Sequence, residues 1–387
     1  MNEAMPSLSR AILAAMAISL VWLGQPASAQ EAAAQAKPGP VAPNASKAAR
    51  ALLAELYERP GRKKNRVAIG QQLLTWEYGK KSDPNAWYGD WLQLEKAKLP
   101  LPLIMGGEVS DLMRYGNFFP NQNALKELIA HGKRGNIVTL VWHPALPVKG
   151  GDFGTPISTA DLQDLVDDKT ATGKAWQVQL DRAADVLKQF DDANVPVLFR
   201  PLHEQNGTFF WWGHNGAKGG ALKARQKAWK AVWADLVEEL TVRRGLRNLL
   251  FVFGTNQVNY DEVAPPLTYY PGGKLVDIVS IDVYDEELDL AGSSRGLQYY
   301  KDLVGTGKPF GLSEFGQSFG NKGTGPNADK WDARTLTERL RDSYKEAVFA
   351  IAWYSSREGQ PPQDFLFALP DVAHAKELLE DPLIDTQ

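Results

Sequence analysis

The sequence predicts an α/β chain folded as a (β/α)8 TIM barrel. Eight short β-rich apolar runs alternate with longer polar or helical segments between residues 66 and 355, the rhythm of a parallel sheet. Most of the runs are near-continuous in apolar residues, as strands covered on both faces must be. The first run, RVAIGQQLL, leads into TW with no Gly-rich turn. A doubly wound open sheet would usually carry its phosphate-binding turn there.

The chain opens with a segment that precedes the barrel. Arg10 ends a short leader, AILAAMAISLVWL is an apolar core of 13 residues, and PASAQ offers small residues for cleavage after Ala29. Residues 1–29 therefore read as an export signal, and the core is short for a permanent membrane anchor. The expected location is outside the cytoplasm, secreted or periplasmic, with no membrane attachment after cleavage. Residues 30–45, QEAAAQAKPGPVAPNA, are rich in Ala and Pro and read as a disordered tether. A single catalytic domain is expected over 46–387.

Within that domain SKAARALLAELYER (46–59) has a helical pattern with Ser46 as N-cap. The runs then follow as RVAIGQQLL (66–74), LPLIMGGEV (101–109), NIVTLVWHP (136–144) and VPVLFRPLHE (195–204). NLLFVFGTNQ (248–257), VDIVSIDVY (276–284), PFGLSEFG (309–316) and AVFAIAWYS (347–355) complete the eight. Amphipathic helices are clearest at 176–194 and 222–243.

Composition removes several function classes. Net charge is −3 from 43 basic and 46 acidic residues, with no long basic run, so a nucleic-acid partner is not indicated. There is no Cys, hence no disulfide framework and no thiolate metal site. The five His show neither HExxH nor a short paired spacing, so no metal or cofactor is expected. The chain is expected to act as a monomer.

The apolar runs change character at their C-terminal ends, which converge on the catalytic face of such a barrel. The third ends in Trp142-His143, the fourth in Arg200, His203 and Glu204, and the fifth near Asn256. The sixth ends in Asp282 and Tyr284, the seventh in Glu314, and the eighth in Trp353-Tyr354. Two carboxylates, Glu204 and Glu314, thus lie on strands roughly across the barrel from each other. Facing carboxylates are what glycoside hydrolysis needs, one protonated and one ionised. Glu204 is followed by Phe209, Phe210, Trp211 and Trp212, which favour its neutral form by desolvation; the Trp pair reads as a surface on which sugar stacks. Arg200 is expected to pair with a carboxylate and keep it charged. His143, Tyr284 and Trp353 each also admit a plain core reading. Glu77, Glu108 and Asp282 read as structural or subsite residues.

At these residues the sequence resembles glycoside hydrolase family 26, which includes many bacterial β-mannanases. RPLHEQNGTFFWWG is similar to that family's acid/base motif and GLSEFG to its nucleophile motif. WHPALP, YYPGGKLVDIVSIDVYD and AIAWYS resemble its segments at strands three, six and eight. The resemblance implies a retaining mechanism on a polysaccharide or oligosaccharide, with Glu314 as nucleophile and Glu204 as acid/base. It implies that His143, His203, Tyr284 and Trp353 line the −1 sugar site and that Trp212 reaches the +1 side. Asn256 and Arg200 join the substrate-binding set. Two departures bear on the sugar. Gln205 stands where many mannanases carry Met, and FGTNQ lacks the Trp often found at the end of strand five. Endo action on β-1,4-mannan is the expected activity. A mixed-linkage β-glucanase or a xylanase remains open on the same scaffold, as does a non-catalytic polysaccharide-binding or export factor.

Overall fold

The computed structural model describes residues 37–75, 88–113, 121–148, 153–257, 263–289, 294–318, 330–355 and 366–387. The expected signal, the first part of the tether and Glu77 lie outside the described residues. One compact unit, Pro38–Gln387, carries the barrel.

The elements run α1 (Lys47–Glu58), β1 (Val67–Gln72), α2 (Gly89–Lys96), β2 (Ile104–Glu108), α3 (Val109–Leu112), α4 (Gln122–Lys133) and β3 (Ile137–Trp142). Next come α5 (Thr159–Asp164), α6 (Ala171–Asp192), β4 (Val197–Pro201), α7 (Gly219–Glu238), β5 (Leu249–Asn256) and β6 (Ile278–Tyr284). The chain closes with α8 (Ser294–Val304), β7 (Phe310–Gly316), α9 (Arg334–Asp342), β8 (Ala347–Ala352), α10 (Ala375–Leu379) and the short β9 (Ile384–Asp385). Strands β1 to β8 pair in order, all parallel, and β8 pairs back with β1, so the sheet closes. This is the predicted (β/α)8 barrel.

The near-continuous apolar runs conceal an inner and an outer row. Side chains alternate along a strand. In β4, Phe199 faces out, its ring 6.3 Å from that of Trp142, while Leu198 and Arg200 face in. The innermost apolar layer includes Ala68, Ile104, Ile137, Leu198, Leu250, Ile278 and Phe349, and it packs against Ala49, Leu52, Leu53 and Leu56 of α1. Helix α1 therefore plugs one end of the barrel, started by the Ser46 hydroxyl, which accepts from Ala49 N at 3.1 Å. Small residues follow on the inner row. A Cβ on Gly254 would lie 2.9 Å from Arg200 Cδ, so that glycine makes room for the Arg200 stem.

Two expectations change here. The tether was expected to run to residue 45, but Ala42 and Ala45 are buried and Val41 N donates to Asp277 Oδ1 at 2.7 Å. The small apolar residues that make this segment look low in complexity are the ones that fit under the barrel. Helix α6 starts at Ala171, five residues before the expected start. Thr170 Oγ1 caps it by accepting from Gly173 N at 2.9 Å, a cap that apolar periodicity does not reveal.

Candidate active site

The loop after β4 is built to aim two side chains. Leu202 and Glu204 both have left-handed backbone, at φ 49° and 53°, which is uncommon for residues with a Cβ. They flank His203, so the chain turns sharply twice. Hydrogen bonds hold the turn: Glu204 N to Gly254 O at 3.0 Å, Gly207 N to Glu204 O at 2.9 Å, and the Trp212 indole N–H to His203 O at 2.7 Å. Such strain persists where surrounding contacts over-determine it. Arg225 of α7 supplies the outer clamp. It is buried and donates to the carbonyls of Gly213, Ile157 and Trp211 at 2.6, 3.0 and 3.1 Å. Arg225→Ala orphans all three carbonyls and leaves a cavity. It is expected to lower unfolding stability by about 3 kcal/mol, measured as a lower midpoint in urea at unchanged slope.

The four aromatics after Glu204 do not do what their order suggests. Trp211 and Trp212 are fully buried, at 0% exposure. Phe210 stacks on Trp212 at 4.5 Å and 13°, and its ring centroid lies 5.1 Å from His143 and 5.2 Å from His203. Trp212 is thus a support for the two histidines and presents no face to a sugar at a +1 position. The loop curls back on itself and needs an apolar filling, and Trp212 provides it. The aromatics exposed nearby are Phe209, at 40%, and Phe153, at 55%.

Glu204 is buried, and its Oε1 accepts from Asn256 Nδ2 at 2.5 Å. Asn206 positions that strand end, accepting from Asn256 N at 2.8 Å and donating to Asn256 O at 2.8 Å. Burial first, and the Glu314 charge second, push the Glu204 carboxyl up to about 7; Asn256, Arg200 and His143 pull the other way and lose.

Glu314 sits at the opposite wall with both oxygens engaged. Arg200 donates to Oε1, and the Tyr284 hydroxyl donates to Oε2 at 2.6 Å. The other Arg200 nitrogen donates to Asp282 Oδ2 at 2.8 Å. Burial alone would lower the Arg200 pKa, but the Asp282 and Glu314 charges outweigh it and hold it above its ordinary value. Burial pushes Asp282 well above the carboxylate range despite Arg200. Tyr284 is likewise raised well above its ordinary value, by burial and then by Glu314, so it stays a donor.

A register shift in β7 explains why two consecutive side chains point inward. Ile281 pairs with Leu312 and Asp282 with Glu314, leaving Ser313 as an extra residue. Ser313 Oγ contacts Asp282 Oδ1 at 2.6 Å while Glu314 still reaches Arg200. Bulges commonly re-aim side chains beside active sites. Gly254→Ala pushes on Arg200 from below and so shifts its grip on Glu314. A displacement of this size is expected to cost about 100-fold in kcat with the far-ultraviolet circular dichroism unchanged.

Of the remaining expected residues, His143 Nδ1 meets Glu108 Oε2 at 2.6 Å and its ring stands edge-on to His203, centroids 4.4 Å apart. His203 Nε2 lies 3.9 Å from Glu314 Oε1. Burial, then Arg200 and His143, hold the His203 pKa well below its ordinary value. Trp353 is half-buried with its ring centroid 6.5 Å from that of His143. The structure therefore gathers Arg200, His203, Glu204, Asn256, Tyr284, Glu314, His143 and Trp353 at one end of the barrel. Sequence reasoning gave no catalytic weight to Asp282, Glu108, Asn206 or Ser313. The signal for Asp282 is its inner-row position two residues before Tyr284. Among the described residues His203, Asp282 and Glu314 offer ligand atoms within 4.8 Å of one another. The cation between these carboxylates is the Arg200 guanidinium.

Residues 41–334 match the model of glycosyl hydrolase family 26. The chain belongs to this family. Over 322 residues it is 29% identical to a mannan endo-1,4-β-mannosidase of Bacillus subtilis, covering 81% of this chain and 82% of that one. It is also 29% identical over 321 residues to the mannan endo-1,4-β-mannosidase A and B of Caldalkalibacillus mannanilyticus, covering 80% of this chain. It spans 57% of that relative's length. A solved structure of a Bacillus subtilis mannanase superposes with TM-score 0.73 at 26% identity, covering 90% of this chain and 95% of that one. This family 26 chain places its polar residues at the C-terminal ends of the barrel strands.

Proposed function

We propose that this family 26 chain is an exported, retaining endo-β-1,4-mannan hydrolase. The observation that carries the mechanism is the contrast between its two carboxyl groups. Glu204 is driven to about 7 and Glu314 is gripped at both oxygens by donors. One group is thereby prepared to give a proton and the other to attack. In the first step a Glu314 oxygen bonds to the anomeric carbon as the glycosidic C–O bond breaks, and Glu204 hands its proton to the departing oxygen. In the second, Glu204 takes a proton from water, the water oxygen attacks the same carbon, and Glu314 leaves. His143, His203, Tyr284 and Trp353 line the sugar site, and Asn256 holds Glu204 in register.

The mannan preference is supported by the relatives at 29% identity, which are named as mannan endo-1,4-β-mannosidases. The test is release of reducing ends from β-mannan, mixed-linkage β-glucan and xylan. Fastest release from mannan, with a ladder of internal fragments, is the expected result. Inert mannan with cleaved glucan or xylan contradicts the substrate assignment, and three inert glycans contradict catalysis itself. For export, the mature N-terminus is expected at Gln30, read by sequencing the protein from outside the producing cell.

A further inference from the structure

We propose that Glu108 is a positioning residue that keeps His143 as an imidazolium, with Nδ1–H bonded to Glu108 and Nε2–H offered to the glycan. The cleft then carries a fixed cation beside the two catalytic carboxyl groups. The effect on catalysis rests on the roles proposed above for Glu204 and Glu314; the charge state of His143 does not.

The geometry leaves little choice of proton position. Glu108 ends β2 and caps α3. Its Oε1 accepts from two backbone groups, Ser110 N and His143 N, both at 3.0 Å. Its Oε2 meets His143 Nδ1 at 2.6 Å. Backbone N–H groups only donate, and an ionised carboxylate only accepts, so the proton of the third contact sits on Nδ1. The Ser110 hydroxyl donates to His143 O at 2.7 Å, which ties the two segments together once more. His143 Nε2 has no partner among the described residues, and the His143 side chain is 24% exposed against 2% for His203. Its free nitrogen is therefore the end available to substrate.

The charged and titratable groups around His143 come from four elements and their loops. Glu108 and Asp111 come from β2 and α3, Arg200, His203 and Glu204 from β4 and its loop, and Glu314 from β7. Phe153, Phe210 and Trp353 complete the surroundings without charge. Burial works against an imidazolium here, yet Glu108 and then Glu314 outweigh burial and Arg200, and His143 is raised above its ordinary value. Asp111 is pushed up to about 7, first by burial and then by the charge of Glu108. One member of the histidine pair is thus favoured in its charged form and the other in its neutral form. The charged one pulls Glu204 down, partly offsetting burial.

Glu108→Gln separates charge from hydrogen bonding. The carboxamide has a single oxygen, and the two backbone N–H groups claim it. Its NH2 then faces Nδ1, which must accept, so the ring becomes neutral with its proton on Nε2. The experiment is 15N NMR of histidine-labelled protein from about pH 5 to 9, spanning the ordinary histidine range, with His143→Gln for assignment. In the wild type, His143 is expected to stay an imidazolium above the ordinary pKa of about 6.5. In Glu108→Gln it is expected to be neutral, in the Nε2–H form, across the range. The alkaline limb of kcat/KM should then move up by about one pH unit, and Glu108→Asp should move it back toward the wild type. A wild-type His143 that loses its proton at or below about 6.5 overturns the proposal without any variant having to fold. So does a Glu108→Gln enzyme that loses activity while its His143 titration and alkaline limb stay those of the wild type. A wild type inactive on every glycan contradicts the proposed function, and the titration still decides the state of His143.

Discussion

Glu314→Ala is expected to lose about 10⁴–10⁶-fold in kcat on every glycan, the scale on which a covalent catalyst falls when its nucleophile is removed. Binding should survive, because the sugar contacts expected of His143, His203, Tyr284 and Trp353 remain. The variant leaves Arg200 with Asp282 as its remaining carboxylate partner, so some stability is lost as well, and a melting curve separates that loss from the catalytic one. Azide fits the space vacated by the carboxylate. It should restore turnover on an activated aryl mannoside by attacking from the nucleophile's side, giving the α-glycosyl azide. Wild-type-like turnover in the variant removes Glu314 from the mechanism.

Glu204→Ala is expected to split substrates by leaving group. A sugar departs poorly and needs the proton; a dinitrophenolate departs with little help. Glycan cleavage should fall by about 10²–10⁴-fold, the usual worth of general acid–base catalysis, while the first step on a dinitrophenyl mannoside is nearly spared. The second step lacks its base, so the glycosyl-enzyme accumulates and the aryl release shows a burst. Azide now attacks that intermediate, and two inversions give the β-glycosyl azide, the opposite anomer from the Glu314 variant. The pH dependence follows from the raised carboxyl. An acid with its pKa near 7 is fully protonated below that pH and is lost above it. Wild-type kcat/KM should therefore fall as pH rises through about 7, and the variant should lack that fall. Equal loss on both substrates with the alkaline limb intact would make Glu204 a sugar-positioning group instead.

The parts that were legible in the sequence share a physical reason. Strands covered on both faces must be apolar almost throughout, so β3 and β5 stand out from their flanks, and a carboxylate closing such a run, as Glu204 and Glu314 do, is conspicuous. The less legible parts depend on register between segments far apart in the chain. Arg200 meets Asp282 and Glu314 across the barrel interior, and nothing local to any of the three names its partner. Glu108 finds His143 in the same way. The extra residue Ser313 is visible only once β6 and β7 are aligned. Trp212 shows the limit of composition. An aromatic run after an acid reads equally well as a sugar platform or as filling for a curled loop, and the fold uses it as filling. The Ala-rich stretch before Ser46 poses the same ambiguity, with Ala42 and Ala45 buried where a tether was expected.

The most direct test of the paired-carboxylate account is the anomeric configuration of the first-formed product. Proton NMR of a manno-oligosaccharide digest, recorded faster than mutarotation, reports it without any variant. Two successive displacements at one carbon, by Glu314 and then by water, predict that the β reducing-end signal appears first and the α signal grows in later. An α product appearing first would mean a single displacement by water, and would contradict Glu314 as the nucleophile.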